Sequence, residues 1–278
     1  MSARLAVEES GSGEPLVLIH GLATTRSIWS LVVPLLSRTR RVITLDVPGF
    51  GDSPPAGEGF ELDAVASRIA RGLARRGVGE PFDLVGHSLG AGVALTLAVN
   101  RTRLVQRLVL VAPAGLEPLP WPAPELLSLG VDGMLSARRA LAALTDLPWG
   151  RRLLLGFAAA DPAALAPGEA RLIVEASCGA SRTAPALATI VRADLRPLLR
   201  RTRAPLGAIW GAQDRTVPPR VARVITSLRP DADVVMLEAA GHVAMIERPQ
   251  VFADALLGLL ARLPNSATTD RRRLDTVT

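Results

Sequence analysis

An α/β protein, built as a doubly wound and mostly parallel sheet with helices on both faces, is what three features of this 278-residue sequence predict. The first is a set of short apolar runs, each bounded by Gly, Pro or a charge: Leu16–Ile19, Arg41–Leu45, Phe82–Val85, Leu108–Val111, Leu206–Trp210 and Val234–Leu237. Near-continuous apolar runs of this length are how parallel strands buried on both faces read. The second is the helical periodicity between them, over roughly Thr25–Leu36, Leu62–Arg76, Ser88–Asn100, Pro219–Leu228 and Pro249–Leu263. In the last, Phe252, Leu256, Leu259 and Leu263 share one face, and Pro249 stands where a first-turn proline belongs. Alternating strand and helix implies the parallel, doubly wound arrangement. The third is the stretch that breaks the alternation: residues 115–200 hold no strand pattern and are rich in Leu, Ala and Arg, with repeated prolines. This predicts a core of residues 1–114 and 201–264, a helical lid inserted at 115–200, and a flexible tail over 265–278.

Composition narrows the class of partner. The formal charge is +6, and all 32 basic residues are Arg, in a chain that contains neither Lys nor Tyr. With nothing to titrate near pH 10, the pI of about 11.2 overstates the basicity. The arginines are scattered in pairs and triplets without an aromatic-interleaved stripe, so no nucleic-acid partner is expected. Cys178 cannot form an internal disulfide and is expected as a small buried hydrophobe. No apolar run is long enough for a signal peptide or a bilayer span, which predicts a soluble cytoplasmic chain, monomer or homodimer, without membrane attachment. No metal-ligand cluster appears, and no cofactor is expected.

Chemistry concentrates in Gly86-His87-Ser88-Leu89-Gly90, directly after an apolar strand and opening a helix. A serine hydroxyl is a weak nucleophile, so it must be held exposed, beside a base, where donors meet the developing oxyanion. A tight strand-to-helix turn flanked by glycines does this. Of the three histidines, His20 follows the first apolar run and is read as bracing its loop, His87 lies in the turn, and His242 is left as the base, in a loop after the last strand. The orienting acid belongs after the preceding strand, where Asp214 lies; a local cap near Pro218 is its other reading.

The order Ser88, Asp214, His242, with Asp46–Ser53 and the Gly241-His242 to Phe252 segment, resembles the α/β-hydrolase superfamily, in its lid-bearing serine-esterase branch. That resemblance implies an α/β-hydrolase fold and a Ser88–His242–Asp214 triad. It also implies an oxyanion hole from the N–H groups of Leu22 and Leu89, and acyl transfer to water. Ser88 at the turn, in place of an aspartate, argues against dehalogenases and epoxide hydrolases. Ser88-Leu89-Gly90-Ala91 departs from the Ser-Met-Gly-Gly turn usual in carbon–carbon bond hydrolases and cofactor-free haloperoxidases, which stay as alternatives.

The expected substrate is a small molecule with a carboxylic ester, lactone or thioester bond and a hydrophobic group, met by Trp121, Leu126 and Phe157 of the lid and by Val243. Arg182 or Arg192 gripping a substrate carboxylate is a further alternative. A reading from another class is a non-hydrolytic accessory or ligand-binding protein on the same scaffold.

Overall fold

The computed structural model describes residues 4–79, 81–118, 123–176 and 182–265, with the side chains of 123–129 outside that description. Seven strands form one sheet: β1 (Val7–Ser10), β2 (Pro15–Ile19), β3 (Arg41–Leu45), β4 (Phe82–His87), β5 (Val105–Val111), β6 (Leu206–Gly211) and β7 (Asp233–Leu237). Their order is β1-β3-β2-β4-β5-β6-β7. β1 runs antiparallel to β3 and every other pairing is parallel. The direction of winding reverses between β2 and β4, which is where sheets of this type leave a crevice at their carboxyl edge.

Eleven α-helices lie among the described residues: α1 (Val33–Leu36), α2 (Leu62–Ala74), α3 (Leu89–Asn100), α4 (Ala123–Ala140), α5 (Pro148–Leu155), α6 (Pro167–Glu175), α7 (Thr183–Arg192), α8 (Arg196–Arg201), α9 (Ala222–Leu228), α10 (Ala244–Glu247) and α11 (Pro249–Arg262). Five of these, α4 to α8, fill the connection between β5 and β6, where no strand occurs among the described residues.

Strand side chains alternate between two cores, one on each face. Val17 and Ile19 of β2 join Leu84, Leu110 and Trp210 beneath α2 and α3, while Leu16 and Leu18 join Val85, Val109 and Ile209 beside Trp29 and Phe252. Both sets are solvent-free, which is why these strands read as unbroken apolar runs. α3 is buried from Leu89 through Ala98, a helix apolar all round because it is covered all round.

Three departures from the sequence expectations have physical causes. β1 was not anticipated, because Val7-Glu8-Glu9-Ser10 is a partly exposed edge strand with one apolar residue. The single helix expected over 25–36 is a 3-10 turn at Arg26–Trp29, opened by Thr25, and then α1, in whose first turn sits Pro34. The helix expected over 219–228 likewise opens as a 3-10 turn at Pro219–Val221 before α9. Trp121 and Cys178 lie outside the described residues, as does the tail from 266. No described helix is long and apolar enough to cross a membrane.

Candidate active site

Loops leaving the carboxyl ends of β2, β4, β6 and β7 carry the site. β4 runs into Ser88, whose backbone takes φ 54° and ψ −117°, a region that a β-carbon disfavours and that costs about 1–3 kcal/mol. The turn is held from both sides. The Ser88 N–H donates to Val111 O at 2.9 Å, and the Ser88 carbonyl accepts the Ala91 N–H at 3.0 Å. Gly90 is required, since a Cβ there would sit 2.2 Å from the His20 carbonyl oxygen. The loop after β2 therefore lies directly on the serine turn.

That loop presents its own N–H. A Cβ on Gly21 would stand 3.1 Å from the Ser88 Cβ, so the Gly21–Leu22 peptide borders the serine. His20 orients it. The Val47 N–H donates to His20 Nε2 at 2.9 Å, which leaves the proton on Nδ1 to donate to the Gly21 carbonyl at 2.8 Å. The Thr24 hydroxyl donates to the same carbonyl at 3.0 Å. In a trans peptide the N–H points opposite to the C=O, so pinning this carbonyl aims the Leu22 N–H away from His20. The Leu89 N–H is the first of α3, and neither it nor that of Leu22 has an acceptor among the described residues. One such donor at a helix N-terminus and another in the adjoining loop, both beside a serine, suit an anionic oxygen.

His20 acts here as a neutral brace. Burial pushes its pKa down to about 4, against a smaller opposing effect of its bond to Gly21. Burial, followed by the neighbouring His242, holds His87 well below the ordinary histidine value too. In the pH window between about 4 and 6.5 the unfolded chain binds the His20 proton and the folded one does not, so stability falls as pH falls. His20 alone is expected to remove about 3 kcal/mol across that window. The check is urea unfolding of the wild type and of His20→Gln: the advantage of the wild type should shrink between pH 7 and pH 4.5. An advantage independent of pH would show that His20 is not a neutral brace.

β6 and β7 deliver the acid and the histidine. His242 Nδ1 lies 2.7 Å from Asp214 Oδ2; a carboxylate only accepts, so the proton sits on Nδ1 and Nε2 carries the lone pair. Asp214 is fully buried, and its other oxygen accepts the Thr216 and Val217 N–H groups at 2.8 and 2.9 Å. Asp214 thus has one oxygen closing a local turn and the other against the histidine. The His87 ring packs 4.6 Å from the His242 ring, and its Nε2–H donates to the His242 carbonyl at 2.9 Å. Ser88, next in the chain to His87, is thereby brought to the same edge as His242. No hydrogen bond joins the Ser88 hydroxyl to the His242 ring among the described residues, a contact that is often long before substrate binds.

The residues expected to meet substrate fall in different places. Phe157 is 46% exposed beside the guanidinium of Arg138, whereas Val243 is buried among apolar neighbours next to His242. Leu126 lies in α4, with its side chain outside the described set. Arg182 packs along the Gly49 backbone. The Asp46–Ser53 loop is a structural knot: buried Asp46 accepts the Arg26 and Asp52 N–H groups and pairs with the Arg26 guanidinium. No cluster of three or more potential metal ligands occurs among the described residues.

Known proteins agree with this architecture. Residues 16–255 match the model of the Alpha/beta hydrolase family. The chain is 31% identical over 271 residues, 91% of its own length and 97% of the other's, to a pimeloyl-(acyl-carrier protein) methyl ester esterase of Aeromonas hydrophila. Over a shorter stretch of 116 residues, 40% of this chain and 41% of the other, it is 40% identical to the 2-hydroxymuconate semialdehyde hydrolase of a Pseudomonas species. A bromoperoxidase from Bacillus anthracis superposes with a TM-score of 0.78 at 26% identity, across 94% of this chain and 100% of that one. A serine turn, a paired histidine and aspartate, and a family match spanning most of the chain lead to one statement: this protein belongs to the alpha/beta hydrolase family, as an enzyme of its esterase-like, serine-hydrolase type.

Proposed function

We propose that the enzyme cleaves a carboxylic ester, lactone or thioester of a hydrophobic small molecule by two-step acyl transfer, with Ser88 as nucleophile, His242 as base and Asp214 as its orienting acid. The observation that carries this reading is the convergence, at one sheet edge, of a strained serine with a His242 ring whose Nδ1 is committed to Asp214. His242 Nε2 takes the Ser88 proton as Oγ attacks the carbonyl carbon. The Leu22 and Leu89 N–H groups meet the oxyanion, each worth roughly 3 kcal/mol in the transition state. The histidine then returns the proton to the leaving alcohol or thiol. Water, deprotonated by the same ring, releases the acyl group and restores Ser88.

Several relatives that span nearly the whole chain are methyl ester esterases, which supports an ester as the bond cleaved. The insertion at 115–200 covers the site as a lid in this reading, with Phe157 on the substrate side. In an apolar pocket each methylene is worth about 0.8 kcal/mol, so the step from acetate to butyrate in a p-nitrophenyl ester series is expected to raise kcat/KM roughly tenfold. A strict preference for acetate would overturn the hydrophobic pocket. A fluorophosphonate probe is expected to label the wild type and not Ser88→Ala. An unlabelled, folded wild type would favour the non-hydrolytic class.

A further inference from the structure

The turn that carries His242 is tied to its own sheet through the His87 side chain of β4, and it is also fastened from outside the sheet. The Gly241 N–H donates to Glu247 Oε1 at 2.9 Å, while those of His242 and Val243 donate to the Ala158 carbonyl at 2.8 and 3.3 Å. Ala158 belongs to the segment 156–160, between α5 and α6 of the insertion. The acid loop hangs on the same segment: Arg215 Nη1 donates to the Gly156 carbonyl at 3.0 Å, and the Thr216 hydroxyl donates to that of Phe157 at 2.8 Å. The segment closes back through the Ala160 N–H, which donates to Glu247 Oε2 at 2.7 Å. Backbone meets backbone here, since a Cβ on Gly241 would lie 2.7 Å from the Ala160 nitrogen.

Glu247 stands at the junction, with one oxygen for each side. A carboxylate accepts on both oxygens at once and is the short, planar group that two converging N–H donors require. We propose that Glu247 is a positioning residue of the hydrolytic reaction: by bridging the Gly241 and Ala160 N–H groups it holds the His242 turn against segment 156–160 and so sets the base for transfer with Ser88. The inference rests on the roles proposed above for Ser88 and His242. Burial raises the Glu247 pKa, while its bonds to the Ala160, Gly241 and Val243 N–H groups work against that rise.

The test uses Glu247→Gln and Glu247→Asp in the full chain, with p-nitrophenyl butyrate as substrate. Gln keeps the volume but turns an amide N–H₂ toward one of the two N–H donors; Asp keeps the charge but is too short to span both. Both variants are expected to lower kcat about 10- to 100-fold, with KM within about threefold, because a base displaced by an ångström loses near-attack geometry. The far-downfield proton signal of the His242–Asp214 hydrogen bond should broaden in both, well below the melting temperature. A lowered melting temperature with wild-type kcat and an unchanged proton signal would reduce Glu247 to a structural role and overturn the proposal. Should Glu247→Gln fail to fold, Glu247→Asp decides on the same criteria. Ser88→Ala is assayed in parallel. If it retains wild-type turnover, the serine-hydrolase reading itself fails; if it is inactive while the Glu247 variants keep full kcat, the positioning role alone fails.

Discussion

Ser88→Ala is expected to lower kcat for an ester substrate by about 10⁶, leaving the residual catalysis that binding and the two N–H donors still supply. The loss should lie in kcat, because Oγ makes its decisive bond only in the transition state. The same position tests whether the turn stores strain. Ser88 holds φ 54° with a β-carbon present, and alanine keeps that carbon, so Ser88→Ala should leave stability within a few tenths of a kcal/mol. Glycine tolerates positive φ, so Ser88→Gly should be as inactive as the alanine variant yet more stable by about 1 kcal/mol. Chemical denaturation of the three proteins at pH 7 measures this. A glycine variant no more stable than wild type would mean that the turn carries no strain. An alanine variant with undiminished kcat would remove Ser88 from the chemistry.

Much of this arrangement was legible in the sequence because buried parallel strands write themselves as apolar runs, and loops at the carboxyl ends of strands inherit their positions from strand order. Ser88, Asp214 and His242 each follow such a run, and the sheet brings Asp214 and His242 within 2.7 Å. β1 stayed hidden because its strand-like character lies in its backbone pairing with β3, not in Glu8 and Glu9. The bridge made by Glu247, a residue of the histidine segment that carries the resemblance, stayed hidden for another reason: its partner Ala160 lies 87 residues away, in a connection without strand periodicity, and offers a backbone N–H that no side-chain pattern announces. Phe157 shows the same limit. It was singled out for its ring, but the contact that ties it to the acid loop is made by its carbonyl oxygen.

Asp214→Asn is expected to lower kcat by roughly 10⁴ with little change in melting temperature. The direction follows from the turn that Asp214 closes. Its Oδ1 accepts the Thr216 and Val217 N–H groups, and an asparagine must keep its single oxygen there, because turning the amide over would set N–H₂ against two N–H donors. The amide nitrogen then faces His242 Nδ1 at the place of Oδ2. Facing a donor, the imidazole is driven to the tautomer with its proton on Nε2, the nitrogen that accepts from Ser88 in the proposed reaction. The base is present and correctly placed but already occupied. Asp214→Ala is a different experiment, because it leaves both turn N–H groups without an acceptor, each costing about 1–3 kcal/mol, and confounds stability with chemistry. Circular dichroism melts beside steady-state ester hydrolysis separate the two variants: the asparagine protein should melt near the wild type and be catalytically poor, the alanine protein should be poor on both counts. An asparagine variant with wild-type kcat would place the orienting acid elsewhere, and the 2.7 Å contact would then be no more than a buried structural pair.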